Sequence, residues 1–332
     1  MGRTEAMDGS TLRRRSLLAG GILLIASSGR GRAQAYPGRP VRIIVPYPPG
    51  GATDTIARLL AQELTRTLGQ SFVVENRGGA ASITGTQAVA TAAADGYTLG
   101  IVDTAFLVNP GLFGDRLPYD ALRDFAPVSL LVRAPLALVV ASQAPWRTVA
   151  ELVAHGKAKP EDIIFGSAGN GTAVHMAGEQ FRQAAGFAYL HVPYRGGGPM
   201  FTDLLAGRVQ MAFGTVPAVV EHVRAGRLRA LAITGAERSA LLHDVPSMAE
   251  AGFPQVDAAL INALIGPAGM PEAVIARLAE ATRTATLQGM SARLAELGFH
   301  PVGSTPEEAR ETFQAAIPRW ARIVREGGIK PD

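Results

Sequence analysis

Two short segments of this 332-residue chain hold residue types able to bind an anion without a cationic side chain. The first reads Tyr47-Pro48-Pro49-Gly50-Gly51-Ala52-Thr53-Asp54, the second Ser167-Ala168-Gly169-Asn170-Gly171-Thr172. Each follows an apolar, strand-like run and precedes a helical pattern, with Ile56, Leu59, Leu60, Leu64 and Leu68 recurring after the first. Such a unit brings backbone N–H groups to a helix start, where unpaired amides and the helix dipole favour negative charge. Ser167, Asn170 and Thr172 add neutral donors and acceptors. They can hold a carboxylate without burying a counter-charge, whose desolvation is expensive. Two such units, far apart in sequence, point to a cleft that grips an anionic small molecule from both sides. The same glycines also make tight turns, and Thr172 or Asn170 also serves as a helix cap; these roles are compatible with binding.

Other chemistries find less support. No Gly-Lys-Ser/Thr follows Asp54 and neither loop carries G-x-G-x-x-G, so a nucleotide site is not indicated. Asp54 is expected to complement the helix dipole from the first turn rather than face the anion. Tyr194 closes a strand and is placed at the cleft; Arg195 beside it is expected in solvent. The six histidines, at 155, 175, 191, 222, 243 and 300, show no metal spacing. The chain has no cysteine, which excludes thiolate metal sites and disulfides. Ser167 lacks a G-x-S-x-G context, and no paired carboxylates stand in a cleft loop. No catalytic residue, metal or cofactor is therefore assigned.

The elements that must position these loops alternate. Strand-like runs at 41–47, 71–75 and 98–102 are interleaved with helical patterns at 55–68 and 84–93. After a long apolar stretch, 125–141, the alternation resumes. Strands fall near 163–166, 189–192, 209–213 and 228–233, and helices near 149–157, 173–185, 199–206 and 217–225. A second extended stretch, 256–266, leads to helices near 271–287, 289–297 and 306–326, expected to pack back on the first lobe. Alternation of this kind implies parallel strands with helices on both faces, and ligands bind at the carboxyl ends of such strands.

The first 35 residues read as an export signal. Arg13-Arg14-Arg15-Ser16 leads into a short apolar run and then Ala33-Gln34-Ala35, a small-x-small cleavage site. The run is shorter than the roughly 20 residues of a membrane span. Arg14-Arg15-Ser16-Leu17-Leu18 suggests the twin-arginine route; an ordinary signal with a basic start is the alternative. The whole chain is formally +4, but residues 1–35 hold six arginines and two acids, leaving 26 basic and 26 acidic residues beyond them. The excess charge belongs to the leader, so nucleic acid and anionic membrane are not expected partners. About 297 residues remain, enough for two lobes with cores of their own.

The residues at 36–51, Tyr-Pro-Gly-Arg-Pro-Val-Arg-Ile-Ile-Val-Pro-Tyr-Pro-Pro-Gly-Gly, resemble the mature start of the Bug family. These are extracytoplasmic receptors of the tripartite tricarboxylate transporter type. The likeness continues through Glu75-Asn76-Arg77, Asp95-Gly96-Tyr97, Leu117-Pro118-Tyr119-Asp120, the loop at 165–172, Pro193-Tyr194-Arg195-Gly196 and Asp244-Val245-Pro246-Ser247. The resemblance implies an α/β, two-lobed periplasmic-binding-protein fold of the Venus-flytrap, type II-like kind. Each lobe would be a mostly parallel sheet flanked by helices. Residues 36–136 with 258–332 would form lobe 1 and 137–257 lobe 2. It implies a periplasmic, monomeric receptor that passes a small carboxylate to membrane transporter subunits. A sensor for a signalling partner and a periplasmic hydrolase are the alternatives. By motif, ligand contacts fall on Tyr47, Pro48, Pro49, Gly50, Gly51 and Ala52, and on Ser167, Ala168, Gly169, Asn170, Thr172 and Tyr194. Asn76, Ala80, Thr104, Phe106 and Gly214 would border the pocket. The family often has Thr-His where this chain has Ala105-Phe106, Asn at Ile83 and Asp at Gly214. Loss of that Asp argues against an amino-acid ligand, and Phe106 with Ile83 would favour an apolar or aromatic one.

Overall fold

The computed structural model describes residues 1–3, 36–79 and 81–331. The expected export signal and Ala80 lie outside them, apart from the first three residues. Met1–Tyr36 and Pro37–Asp332 separate as two units, and every helix and strand named below belongs to the second.

In chain order the elements are β1 (Val41–Val45), α1 (Ala52–Leu68), β2 (Phe72–Asn76), α2 (Ile83–Ala90), β3 (Thr98–Asp103) and α3 (Thr104–Phe113). Then come β4 (Phe125–Ala141), α4 (Val149–Ala158), β5 (Ile164–Ser167), α5 (Ala173–Ala185), β6 (Leu190–Pro193) and α6 (Gly197–Leu205). The remainder is β7 (Met211–Thr215), α7 (Val216–Arg224), β8 (Leu228–Ile233), β9 (Ala259–Pro267), α8 (Glu272–Thr284), α9 (Ser291–Glu296), β10 (His300–Pro301) and α10 (Pro306–Gly327).

The strands form one ten-stranded sheet with the main order β2-β1-β3-β9-β4-β7-β5-β6, while β8 and β10 pair with β4. Two parallel triplets, β2-β1-β3 and β6-β5-β7, are joined by antiparallel strands. β4 serves both halves. Phe125 to Pro135 pairs with β9, and Leu136 to Ala141 pairs with β7 and β8. Its run of Val, Leu and Ala, buried at nearly every position, suits a strand covered on both faces. Each half is thus parallel at its outer strands and antiparallel at the junction.

The parallel triplets place the carboxyl ends of β1, β3, β5 and β7 at the loops that carry the candidate site. A hydrophobic core runs through both halves, from Ile44, Phe106 and Trp320 to Phe165, Phe181 and Phe213. α10 packs on α3 and β4, and also on α5. Gln183 of α5 donates to the Ile323 carbonyl at 3.2 Å, and Arg319 pairs with Asp257, which also accepts from Gln180 of α5. The tail therefore braces both halves, not the first alone. No helix among the described residues is long and apolar enough to cross a membrane.

Candidate functional site

The loop after β1 is braced from below. Gly50 has φ +93, a backbone that only glycine adopts freely, and its amide donates to Asp54 Oδ2 at 2.9 Å. Arg58 donates to both Asp54 oxygens at 3.0 Å, and Asn76 Nδ2 donates to Asp54 Oδ1 at 2.8 Å and to the Tyr47 carbonyl at 3.0 Å. Burial alone would raise the Asp54 pKa, but the bonds from Arg58, the Gly50 amide and Asn76 outweigh it and hold it at about 2. Asp54 is therefore a loop brace, and Asn76 bonds it from the end of β2. Pro48, Pro49, Gly51 and Ala52 are exposed, and Gly51, the helix N-cap, supplies no side-chain cap. The first-turn amides of Ala52 and Thr53 have no intrahelical acceptor by helix geometry. Gly85 of α2 packs so close that an added Cβ would lie 2.8 Å from Pro46 Cα, which fixes this end of β1.

Asp103 lies at the next strand end. It caps α3 by accepting the Ala105 amide at 3.0 Å, and it takes the Tyr47 hydroxyl at 2.8 Å on the same oxygen. Burial raises its pKa to about 6 against the lowering effect of those bonds. Across β3 and β9, Asp103 is paired with Asn262. Asn262 Nδ2 donates to Thr53 Oγ1 of α1 at 3.0 Å, and its Oδ1 is buried without a partner among the described residues.

Two expected pocket residues serve the core instead. Thr104 is buried; its hydroxyl donates to the Ala259 carbonyl at 3.0 Å and accepts the Ile261 amide at 3.1 Å, tying α3 to β9. Phe106 is 0% exposed and packs against Tyr119, Phe125 and Phe313 at centroid distances of 6.2, 5.2 and 5.4 Å. Ile83 lies in the same core. The expectation that Phe106 and Ile83 select an apolar ligand is corrected: both side chains are buried in the hydrophobic core.

The second loop is held by its own side chains. Ser167 is 0% exposed; its Oγ accepts the Gly169 amide at 3.2 Å and lies 2.7 Å from His191 Nε2. Thr172 caps α5, accepting the His175 amide at 3.3 Å and donating to the Gly169 carbonyl at 2.8 Å. The Gly171 amide donates to His175 Nδ1 at 3.2 Å. Ala168, Gly169, Asn170 and Thr172 keep partial exposure. Tyr194 donates its hydroxyl to Asp203 at 2.7 Å, and burial followed by Asp203 pushes its pKa up to about 12. Its hydroxyl is thus tied to α6. Gly214 is buried, and a Cβ there would meet the Phe201 ring at 2.6 Å and Val219 at 2.8 Å. A side chain at this position would run into that aromatic ring.

α3 links the two loops. Its cap, Asp103, touches Tyr47. Asn109 Nδ2 donates to the Ala81 carbonyl at 2.9 Å, in the segment where Ala81 and Ser82 take φ of 52° and 72°. From the other side Gly171, at φ +75, comes against Leu112 and Val108; a Cβ there would be 3.0 Å from Leu112 Cδ2. Among the described residues, no three His, Cys, Asp or Glu side chains converge as a metal site.

Two parallel strand–helix halves, joined by antiparallel crossovers and each bearing a glycine-rich helix start at a strand end, define a solute-binding architecture. Residues 56–329 match the family described as tripartite tricarboxylate transporter family receptor, and the chain belongs to that family. Protein BugT of Bordetella pertussis is 40% identical over 301 residues, covering 90% of this chain and 92% of that one. A protein of R. palustris solved with adipate superposes with a TM-score of 0.80 at 33% identity, over 90% of this chain and 100% of that one. MatC from Rhodopseudomonas palustris, solved with bound malate, gives 0.76 at 30% identity, over 87% of this chain and 100% of that one.

Proposed function

We propose that this protein is a periplasmic receptor that binds a small carboxylate between the loop at 47–52 and the loop at 167–172 and delivers it to membrane transporter subunits. The observation that carries the reading is the pair of glycine-rich helix starts, one on each half of the sheet, connected through α3. Each presents first-turn amides, and among the described residues no lysine or arginine is buried. The relatives solved with adipate and malate support the ligand class. The lobes would be 36–136 with 258–332 and 137–257, since β4 and β9 run between the two parallel triplets. The contact set is Tyr47, Pro48, Pro49, Gly51 and Ala52 on one side and Ala168, Asn170, Thr172 and the first-turn amides of α5 on the other, with Ser167, Gly169 and Gly50 acting as loop braces. Export with cleavage after Ala35 and action as a monomer complete the proposal.

A hydrolase is the competing reading, and the 2.7 Å Ser167–His191 contact is the observation in its favour. Against it, Ser167 has no exposure and its oxygen is held by the Gly169 amide. Calorimetry with a panel of mono-, di- and tricarboxylates, followed by recovery of the bound compound, tests the proposal. A carboxylate recovered unchanged supports a receptor. Turnover of an ester or amide that is lost on Ser167→Ala would establish the enzyme instead.

A further inference from the structure

Beneath the loop at 167–172 lie two imidazoles that the binding reading leaves unused. His175 and His191 stack face to face, with centroids 4.2 Å apart and planes 12° from parallel. Phe165 stacks on His191 as well, at 5.3 Å. Together they reach two alternate amides of the loop: Gly171 through His175 Nδ1, and Gly169 through Ser167 Oγ, which His191 Nε2 contacts. We propose that the stacked His175–His191 pair is the positioning device of the second ligand loop. It draws the Gly169 and Gly171 amides inward and so selects which amides meet a carboxylate. This inference rests on the binding site proposed above. The ligand-facing amides on this side are then Ala168 and those of Ala173 and Val174 in the first turn of α5.

The chemistry of the bond fixes the state of His175. A backbone amide can only donate, so Nδ1 must accept, and the ring must be neutral with its proton on Nε2. Protonation at Nδ1 would set two donors against each other and release Gly171. The surroundings hold the neutral form. His175 is 2% exposed, and it faces Glu179 and Arg182 of its own helix and His191 of β6. Glu179 is itself occupied, taking two bonds from Arg182 and one from the Tyr189 hydroxyl, and its Oε1 stays 4.0 Å from His175 Nε2. Burial first, then the His191 and Arg182 charges, push the His175 pKa down to about 3. A carboxylate arriving at this loop therefore meets a Gly171 amide held back by a neutral His175.

The test uses isotope-labelled mature protein and reads the imidazole nitrogens by long-range proton–nitrogen NMR between pH 7.5 and about 4.5, a window around the ordinary histidine pKa. The expected result is a His175 that does not titrate and keeps an unprotonated Nδ1, with the Gly171 amide protected from exchange. His175→Leu should lose that protection at least ten-fold. His175→Asn, whose side-chain oxygen can replace Nδ1 as acceptor, should restore it. With adipate and malate as probes, whichever shifts the wild-type melting temperature should bind at least ten-fold more weakly to His175→Leu and regain affinity in His175→Asn. A protonated Nδ1, a His175 titrating near its ordinary pKa, or equal affinity of the Leu variant and wild type would overturn the proposal. If His175→Leu does not fold, the wild-type tautomer and titration still decide. If no carboxylate binds wild-type protein, the proposed function fails, while the nitrogen spectra still judge the histidine pair.

Discussion

Asp54→Asn isolates the brace under the first loop. The carboxylate carries bonds from the Gly50 amide, Asn76 and a two-pronged Arg58, and its side chain is 4% exposed. A folded pKa of about 2 against an ordinary 3.8 corresponds to roughly 2 kcal/mol of stability at neutral pH. The Arg58 side chain is 53% exposed, so solvent screening reduces this toward about 1 kcal/mol. The folded pKa is depressed, so the contribution is complete above the unfolded pKa and is lost as pH falls toward 2. Urea unfolding should show Asp54→Asn less stable than wild type by about 1–2 kcal/mol at pH 7, with the gap about half as large at pH 3. Carboxylate affinity should fall in parallel, because the Gly50 turn relaxes. A gap that is absent at pH 7, or that stays constant down to pH 3, would refute the reasoning: the carboxylate would then not be ionised and braced as described.

Other outcomes rest on single residues. Asp103 has the opposite sign: its folded pKa of about 6 lies above the unfolded value, so it costs stability as pH rises from 3.8 to 6. Asp103→Asn keeps an acceptor for Tyr47 and Ala105 and should stabilise the protein at pH 7 by up to about 3 kcal/mol, read by urea unfolding at pH 4 and 7. An equal effect at both pH values would contradict this. Gly171→Ala, at φ +75 against Leu112, should cost about 1–2 kcal/mol and lower the melting temperature by a few degrees. An unchanged melting temperature would show that the loop tolerates a Cβ. Gly214→Asp should destabilise, since Phe201 and Val219 fill the space. Gly214→Asp with Phe201→Ala should recover much of the loss, and thermal melts of both variants check it.

The alternation of the chain made most elements readable in advance. Helix α5 and strand β8 fall where periodicity and glycine stops place them, because each has a distinct apolar pattern ending close to a glycine. Helix α3 escaped. Thr104–Phe113 is apolar on nearly every face and contains Pro110, so it shows no amphipathic period. Its one local signal was Asp103 followed by Thr104, a helix N-cap at a strand end. That miss explains the misplacement of Thr104 and Phe106: expected to border the pocket, they sit instead in a buried helix, Phe106 packed against Tyr119, Phe125 and Phe313. The crossover pairing of β4 with β9 also lay beyond local pattern, since antiparallel partners more than 100 residues apart leave no short-range signature. The glycine-rich loops were legible as helix starts. Their internal wiring, with Asp54, Ser167, His175 and His191 each taking or backing an amide, depends on contacts that only the fold brings together.

The central claim, a carboxylate held between two helix starts, is tested most directly by a crystal structure of the mature protein grown with the carboxylate that binds best in calorimetry. The account predicts carboxylate oxygens about 3 Å from amide nitrogens of both loops, within residues 51–53 and 168–174, and no arginine or lysine side chain closing on them. A ligand carboxylate paired with Arg195, or seated away from either loop, would contradict it.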